Sequence, residues 1–229
     1  MPRNGSKMVC LICSISFILF SFLAAVHFWC YYEPFYASEH RKLTLYGKSI
    51  ADHIGISLDE LDELTSFTLN YLNDKDASLD LQMKIKGQIR EVFTQEEKQH
   101  MVDVQRLNLI ANKLLLLSGA VTLVCLAYLI ITKQPFSILF HVYKRTMLTV
   151  LAVFAVLGTW VFIDFDSFWT LFHHIFFPGN ELWILDLRKD ILIMIVPPEF
   201  FYHLVIRILF TFIALLIGGY LMLKRAGRA

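Results

Sequence analysis

Histidines are the side chains of this sequence that are best suited to chemistry near neutral pH. His100 precedes Asp103 by three positions, so on a helix both project from the same side, where the carboxylate can orient the imidazole or stabilise its charged form. His173 and His174 lie between apolar residues, where a polar side chain is unfavourable unless it is paired or functional. The spacing alone leaves acid–base catalysis and a structural interfacial pair both open.

A metal site built on the same side chains is a second interpretation. Zinc takes imidazole nitrogens and carboxylate oxygens, which makes His100, Asp103, His173 and His174 candidate ligands. The sequence has neither an HExxH pattern nor a regular Cys/His spacing to support such a site, and Cys10 and Cys13 form a CxxC only by letters, which we interpret as small core residues of a helix. It also has no Gly-rich phosphate loop and no GxSxG elbow. We therefore expect no metal and no cofactor.

The composition indicates where these histidines are held. Of the 229 residues, 56% are hydrophobic and only 18% are charged, whereas soluble domains average about 25% charged residues. This balance is typical of a membrane protein. The formal net charge of +1 gives no basic footprint for nucleic acid. We expect membrane lipids or lipid-linked molecules as partners, and no nucleic acid.

Four apolar stretches are long enough to cross a hydrocarbon core of about 30 Å. The predicted transmembrane helices are 8–32, 107–132, 146–163 and 200–223. The first begins like a signal peptide, but its apolar run is too long and His27, Phe28 and Trp29 make a poor cleavage site, so we expect it to be retained. The predicted fold class is a mainly α membrane protein with four transmembrane helices and a small extracytoplasmic α+β cap.

An even number of spans places both termini and the loop 133–145 on one side of the membrane. That side carries only basic charges, namely Arg3, Lys7, Lys133, Lys144, Arg145, Lys224, Arg225 and Arg228. All 20 carboxylates lie in the other two segments, 33–106 and 164–199. Because basic loops stay in the cytoplasm, we predict cytoplasmic termini and two extracytoplasmic segments, the second of which contains the histidine motif.

The cap segment 33–106 opens with two predicted helices. Apolar residues at helical spacing predict a helix over 37–54 that stops at Gly55. Ser57 with Glu60 forms a capping-box pattern that begins a second helix, which extends to about Asn73.

The rest of the cap segment changes period. Strict alternation over 79–86 predicts a strand that ends at Gly87. Thr94 with Glu97 is a second capping box, and the helix that it begins continues without Gly or Pro into the second span.

The second outer segment, 164–199, is too apolar for a water-exposed loop. Its runs 182–187 and 190–196 predict a short hairpin that pairs with the strand 79–86 and ends at the two prolines 197 and 198. Just beyond it, Arg207 lies inside the fourth span. It is either a functional or lipid-phosphate-binding residue or an ion-pair partner of Asp164 or Asp166.

Several short motifs resemble those of the bacterial lipoprotein intramolecular transacylases. They are Phe93-Thr94, His100-Met101-Val102-Asp103-Val104, Phe172-His173-His174-Ile175-Phe176-Phe177, Trp183, Asp190 and Pro198-Glu199-Phe200-Phe201. The resemblance covers essentially the whole chain and implies four membrane helices with an extracytoplasmic cap in the bacterial cytoplasmic membrane. It also implies an acyltransferase that moves the sn-2 acyl chain of a diacylglyceryl lipoprotein to the amine of its N-terminal cysteine, giving the lyso form.

The resemblance also implies two essential histidines. Matched by motif, these are His100 and His173, with His174 in the second role if the register of the loop differs. Our hypothesis is that His100, oriented by Asp103, is the acid–base group and that His173 polarises the carbonyl. The residues predicted to bind substrate are Tyr36, Trp183, Arg207 and His174. We expect a monomer; the alternative function is a non-catalytic membrane sensor or assembly protein whose histidines only pack.

Overall fold

The computed structural model describes residues 4–227, so Arg3 and Arg228 of the predicted basic side lie outside the described residues. In chain order its elements are α1 (Asn4–Tyr31), α2 (Glu33–His40), β1 (Thr44–Leu45), β2 (Lys48–Ser49), α3 (Ile50–Ile54), α4 (Leu58–Leu72), β3 (Gln82–Ile85), β4 (Gln88–Glu91), α5 (Gln95–Ile131), α6 (Phe136–Ile163), α7 (Phe165–Phe176), α8 (Ile191–Ile195) and α9 (Pro198–Ala226). The chain divides into two compact units. The helical unit contains 4–28, 111–165 and 206–227, and the mixed unit contains 29–110 and 166–205.

The helices α1, α5, α6 and α9 are each long and apolar enough to cross a membrane, which confirms the four predicted transmembrane helices. α6 begins at Phe136, inside the segment 133–145, which is predicted from the sequence to be a loop. Pro135 occupies the N-cap of α6 with an extended backbone, so the connection from α5 is confined to the few residues before it.

Aromatic side chains and one buried hydrogen bond hold the helical unit together. The rings of Phe22, Phe154 and Phe212 contact one another at centroid distances of 4.9–5.5 Å. The buried Tyr143 hydroxyl donates to the Leu216 carbonyl at 2.8 Å, which satisfies its only donor in an apolar setting. Cys10 and Cys13 are 1% and 3% exposed and belong to a cluster with Leu129 and Leu139, in agreement with their interpretation as small core residues.

The prediction of one continuous cap helix over 37–54 is wrong. α2 ends at His40, a two-strand hairpin of β1 and β2 follows, and only then does α3 form. The reason is the turn Tyr46–Gly47, whose φ values are +50° and +79°. Two successive positive φ values suit a tight hairpin turn and cannot occur within a right-handed helix.

The end of α3 is as predicted. Gly55 closes that helix with φ +90°, a left-handed conformation that favours glycine. Its carbonyl accepts a hydrogen bond from the Lys86 amide at 3.1 Å, and a Cβ on Gly55 would overlap Lys86 Cγ. The absence of a side chain at Gly55 therefore lets the next hairpin approach closely.

The alternating segment contains the predicted strand, β3, but the predicted pairing is wrong. β3 pairs antiparallel with β4 through a turn at Lys86–Gly87 rather than with residues 182–196. In that later segment the predicted hairpin is absent, and residues 191–195 form the helix α8 instead. A short unbroken apolar run does not distinguish a strand from a buried helix, and here the aspartates beside it favour a turn followed by a helix. The Asp186 amide donates to the Asp190 carboxylate at 2.7 Å, and Asp190 is the N-cap residue of α8.

Both predicted capping boxes are present. At the start of α4, Ser57 and Glu60 exchange side-chain-to-backbone hydrogen bonds of 2.7 and 3.2 Å. At the start of α5, Thr94 and Glu97 do the same at 2.6 and 3.2 Å. α5 then continues unbroken to Ile131, so the rigid helix that enters the membrane-spanning sequence is the one that carries His100.

Candidate functional site

His100 and His173 meet in the interior of the mixed unit. His100 lies in the polar beginning of α5, ahead of the apolar stretch that starts at Leu107, and His173 lies near the end of α7. Their ring centroids are 6.2 Å apart, with 32° between the ring planes. The two residues are 7% and 6% exposed. Residues separated by 73 positions in the chain therefore form one buried pair of imidazoles.

Aromatic rings surround this pair and exclude water from it. Trp183 stacks on His173 at a centroid distance of 4.6 Å, and Trp169 contacts the same imidazole edge-on at 4.8 Å. Phe177 contacts both histidines, at 5.2 Å from His100 and 5.6 Å from His173. His174 also contacts Trp183, edge-on at a centroid distance of 5.5 Å.

The hydrogen bonds distinguish the two imidazoles. His173 Nδ1 lies 2.7 Å from the Trp169 carbonyl oxygen. A carbonyl only accepts, so Nδ1 carries the hydrogen and, in the neutral ring, Nε2 keeps a free lone pair. His100 Nδ1 is buried and has no hydrogen-bond partner within the described residues, and the same is true of Trp183 Nε1. Buried polar atoms without partners cost on the order of 1–3 kcal/mol each, which a bound substrate can recover.

Burial keeps both histidines neutral at neutral pH. It lowers the pKa of His100 to about 4, an effect to which the neighbouring His173 adds and which Asp103 opposes. Burial also lowers the pKa of His173, while its hydrogen bond to the Trp169 carbonyl acts in the opposite direction. The neighbouring His174 adds to the lowering of the His173 pKa.

Asp103 does not orient His100 through a hydrogen bond to Nδ1. Its carboxylate accepts a hydrogen bond from the Asn180 side-chain amide at 3.1 Å and lies 3.5 Å from the Arg106 guanidinium. The influence of Asp103 on His100 is electrostatic, since its negative charge favours the protonated imidazole. The expected orienting contact is provided for the other histidine by the backbone carbonyl of Trp169.

The residues predicted to bind substrate fall in different places. Trp183 and His174 adjoin His173, as described above. The Tyr36 hydroxyl is committed to the Cys30 carbonyl at 2.8 Å, and its ring packs on Phe35 and Phe200 rather than on either histidine. Arg207 belongs to α9, within the helical unit. Trp183 and His174 thus lie beside His173, whereas Tyr36 makes its contacts elsewhere in the mixed unit.

Glu97 is a buried residue of the site region whose tertiary role the sequence does not reveal. It is 0% exposed, and its carboxylate accepts the Leu192 amide of α8 at 2.7 Å while it also caps α5 through Thr94. Glu97 lies one helical turn before His100, so this carboxylate joins the start of α8 to the turn that carries the histidine. The capping-box pattern predicts the local bond but contains no sign of the contact with Leu192.

A second buried polar group joins α2 to later parts of the mixed unit. Glu39 is 2% exposed and lies 2.6 Å from His203 Nδ1, and the adjacent His40 bonds the Ile195 carbonyl at 3.0 Å. These contacts hold the end of α8 and the start of α9 against α2. Within residues 4–227, no group of three or more His, Cys, Asp or Glu side chains is arranged to hold a metal ion.

The chain is similar to known proteins in sequence and in fold. The family model described as lipoprotein intramolecular transacylase Lit matches residues 11–201. The in meso structure of the membrane integral lipoprotein intramolecular transacylase Lit from Bacillus cereus superposes with a TM-score of 0.81 at 21% identity, covering 98% of this chain and 97% of that one.

Two further structures of the same Bacillus cereus protein, in which one histidine is replaced by arginine or by alanine, are also similar. They superpose with TM-scores of 0.75 and 0.73 at 20% and 22% identity, and each alignment covers 98% of this chain and 93% of the other. At these identities the structural likeness establishes the fold. No curated protein matches the chain by sequence.

Proposed function

The chain belongs to the lipoprotein intramolecular transacylase family, and from this premise we propose that it transfers the sn-2 acyl chain of a diacylglyceryl lipoprotein to the amino group of the N-terminal cysteine. The observation that carries the proposal is the buried pair of neutral imidazoles, His100 and His173, 6.2 Å apart. Neutral imidazoles in a water-poor site can accept a proton from the amine and hydrogen-bond the oxyanion that develops.

The reaction is an O-to-N acyl shift within one substrate molecule. The amine nitrogen attacks the ester carbonyl carbon, the new N–C bond forms, and the bond from that carbon to the glyceryl oxygen breaks. The proton that the nitrogen loses ends on the glyceryl oxygen, so substrate and product have the same mass. Because the substrate supplies both nucleophile and ester, the enzyme needs no acyl-enzyme intermediate. Holding the two groups together lowers the activation barrier by roughly 7–11 kcal/mol.

The hydrogen bonds assign different roles to the two histidines. His173 Nε2 is the general base for the amine, because the Trp169 carbonyl holds Nδ1 as the protonated nitrogen and also stabilises the imidazolium that forms. His100, kept neutral by burial, hydrogen-bonds the developing oxyanion through an N–H, and the His173 imidazolium then returns the proton to the leaving glyceryl oxygen. This assignment reverses the hypothesis made from the sequence. Asp103 supplies a negative charge near the pair rather than an orienting bond.

The sidedness follows from the charge distribution. We infer that the mixed unit faces the extracytoplasmic side of a bacterial cytoplasmic membrane and that both termini are cytoplasmic. The described basic residues Lys7, Lys133, Lys144, Arg145, Lys224 and Arg225 support this orientation, since they cluster near the ends of the membrane helices that carry no carboxylates. In this orientation the diacylglyceryl substrate reaches the site from the outer leaflet. We propose that the enzyme acts as a monomer.

The test is conversion of a synthetic diacylated lipopeptide by purified protein in detergent, followed by mass spectrometry with fragmentation. We expect the wild type to produce an N-acyl, lyso-glyceryl peptide of unchanged mass, and His100→Ala and His173→Ala to lose conversion by at least about 100-fold. His53→Ala is the matched control, because His53 stacks on Tyr46 in the same unit and takes no part in the proposal. Near-normal conversion by either folded site variant would contradict the proposed roles.

A further inference from the structure

A groove of about 260 Å³ opens in the mixed unit between the beginning of α5 and the end of α7. At one end its lining is polar and consists of Asp103, Arg106 and Asn180. At the other it is apolar, with Leu107 and Ile110 from α5 and Phe176 from α7. None of these groups except Asp103 takes part in the chemistry proposed above.

The polarity of the groove changes along the axis of α5. From Asp103 to Ile110 the helix rises about 10 Å, at 1.5 Å per residue. Leu107 and Ile110 are also among the first residues of the apolar stretch predicted to enter the bilayer. The lining of the groove thus passes from polar to apolar along α5, which is the polarity profile of one end of a lipid.

Phe177 connects the groove to the histidines. Its side chain lines the groove, is 5% exposed, and contacts the rings of both His100 and His173. A single aromatic ring thus forms the wall between an open groove and the buried imidazole pair. A molecule in the groove thus lies beside the ring that packs on both histidines.

We propose that this groove is the subsite for the reacting end of the lipoprotein substrate, with the α-ammonium on the Asp103 carboxylate and the acyl chain along Leu107 and Ile110. The inference rests on the proposed function and adds to it the residues that recognise the substrate. Charge complementarity selects the occupant, because the reacting end of a diacylglyceryl lipoprotein carries one positive charge beside two apolar chains. Asn180 holds one carboxylate oxygen by its hydrogen bond and leaves the other for the ammonium.

The present partner of that second oxygen is easily replaced. Arg106 lies 3.5 Å from it, with its side chain 71% exposed, and such solvent-exposed ion pairs are weak.

The size of the groove is also informative. At about 260 Å³ it is slightly smaller than the roughly 300–1,000 Å³ of pockets that enclose whole ligands, so it accommodates one end of a long amphiphile while the chains extend into lipid.

Binding without reaction tests the groove directly. The probe is a fluorescent lipopeptide whose two chains are attached to glycerol by ether bonds, so that no acyl transfer can occur, prepared with a free amine and with an acetylated amine. Binding to the purified full chain in detergent is followed by fluorescence anisotropy. The variants are Asp103→Asn, which removes the charge, and Ile110→Trp, which fills the apolar end. Leu116→Trp is the matched control on an exposed position of the same helix.

We expect the wild type to bind the amine probe about 10- to 100-fold more tightly than the acetylated probe, as a hydrogen-bonded charge pair implies. Asp103→Asn should abolish that preference, Ile110→Trp should weaken binding of both probes about tenfold or more, and Leu116→Trp should bind like the wild type. Wild-type affinities in both groove variants would overturn the assignment.

Conversion of the ester lipopeptide separates the two proposals. If the wild type converts the ester while both groove variants bind normally, the groove is wrong and the proposed function stands. If the groove variants lose binding while the wild type converts nothing, the binding site stands and the transacylase chemistry is wrong.

Discussion

Glu97→Ala is expected to destabilise the protein more than the loss of an ordinary helix cap. The carboxylate accepts two backbone N–H groups, those of Thr94 and Leu192, at 2.6 and 2.7 Å, and the residue is 0% exposed. Alanine leaves both donors without acceptors where water does not replace them, at about 1–3 kcal/mol each. The sum is about 4 kcal/mol, which corresponds to a fall in Tm of roughly 8–16 °C for a chain of this size.

The matched control is the other capping box. Glu60 makes the same pair of local hydrogen bonds at the start of α4, but both are exposed, and among the described residues its side chain has no tertiary hydrogen bond comparable to that between Glu97 and Leu192. Glu60→Ala should therefore lower the Tm only slightly, because water satisfies the freed N–H groups. The measurement is thermal unfolding in detergent, followed by intrinsic tryptophan fluorescence. Equal shifts in Tm for Glu97→Ala and Glu60→Ala would refute the argument that the bond to Leu192 stabilises the fold.

Two further changes probe the site and the fold. The acid limb of the kcat–pH profile should lie below the ordinary histidine pKa of about 6.5, because burial lowers the pKa of both His100 and His173. The neutral pair is the active form. Activity is therefore retained above the shifted pKa and lost as the pH falls through it. Asp103→Asn should move this limb to still lower pH, since the carboxylate raises the pKa of His100, and a limb at or above pH 6.5 would contradict the assignment. Gly55→Ala should lower the Tm by several degrees, since a side chain at φ +90° is strained by about 1–3 kcal/mol and its Cβ meets Lys86. An unchanged Tm would contradict this, because it would mean that the hairpin moves away from the new side chain at no cost.

Features with a local physical cause could be predicted from the sequence. The four spans follow from long, predominantly apolar stretches, and both capping boxes follow from residues three positions apart that bond each other's backbone. The stop at Gly55 likewise depends on one residue's freedom to adopt a positive φ. Each of these signals lies within a few residues of the structure that it specifies.

The errors arose where two structures satisfy the same pattern. Apolar residues between 43 and 54 have helical spacing, yet the turn at Tyr46–Gly47 folds them as a hairpin followed by a short helix. The five-residue apolar run of α8 shows no periodicity, so its helical state could not be predicted from the sequence. The pairing of β3 with β4 was also missed.

For the site, the motifs indicate which histidines matter but not what holds them. The group that fixes the tautomer of His173 is the backbone carbonyl of Trp169, and the group that Glu97 binds on α8 is a backbone amide. Backbone groups are the same in every residue, so the sequence carries no sign of such partners. Asn180 and Phe177 were missed as individual contributors for a related reason, since their contacts with Asp103 and His100 depend on how α7 and the turn after it pack against α5.

The measurement that tests the central claim most directly is a double-label crossover experiment. Two lipopeptides are mixed, one with a deuterated sn-2 chain and one with a ¹⁵N-labelled peptide, and are incubated with purified protein in detergent. Intramolecular transfer at the His100–His173 pair predicts N-acylated products in which each peptide keeps its own chain, and no such products with His173→Ala. Products that combine the deuterated chain with the ¹⁵N peptide, or conversion that survives in the folded variant, would contradict the account.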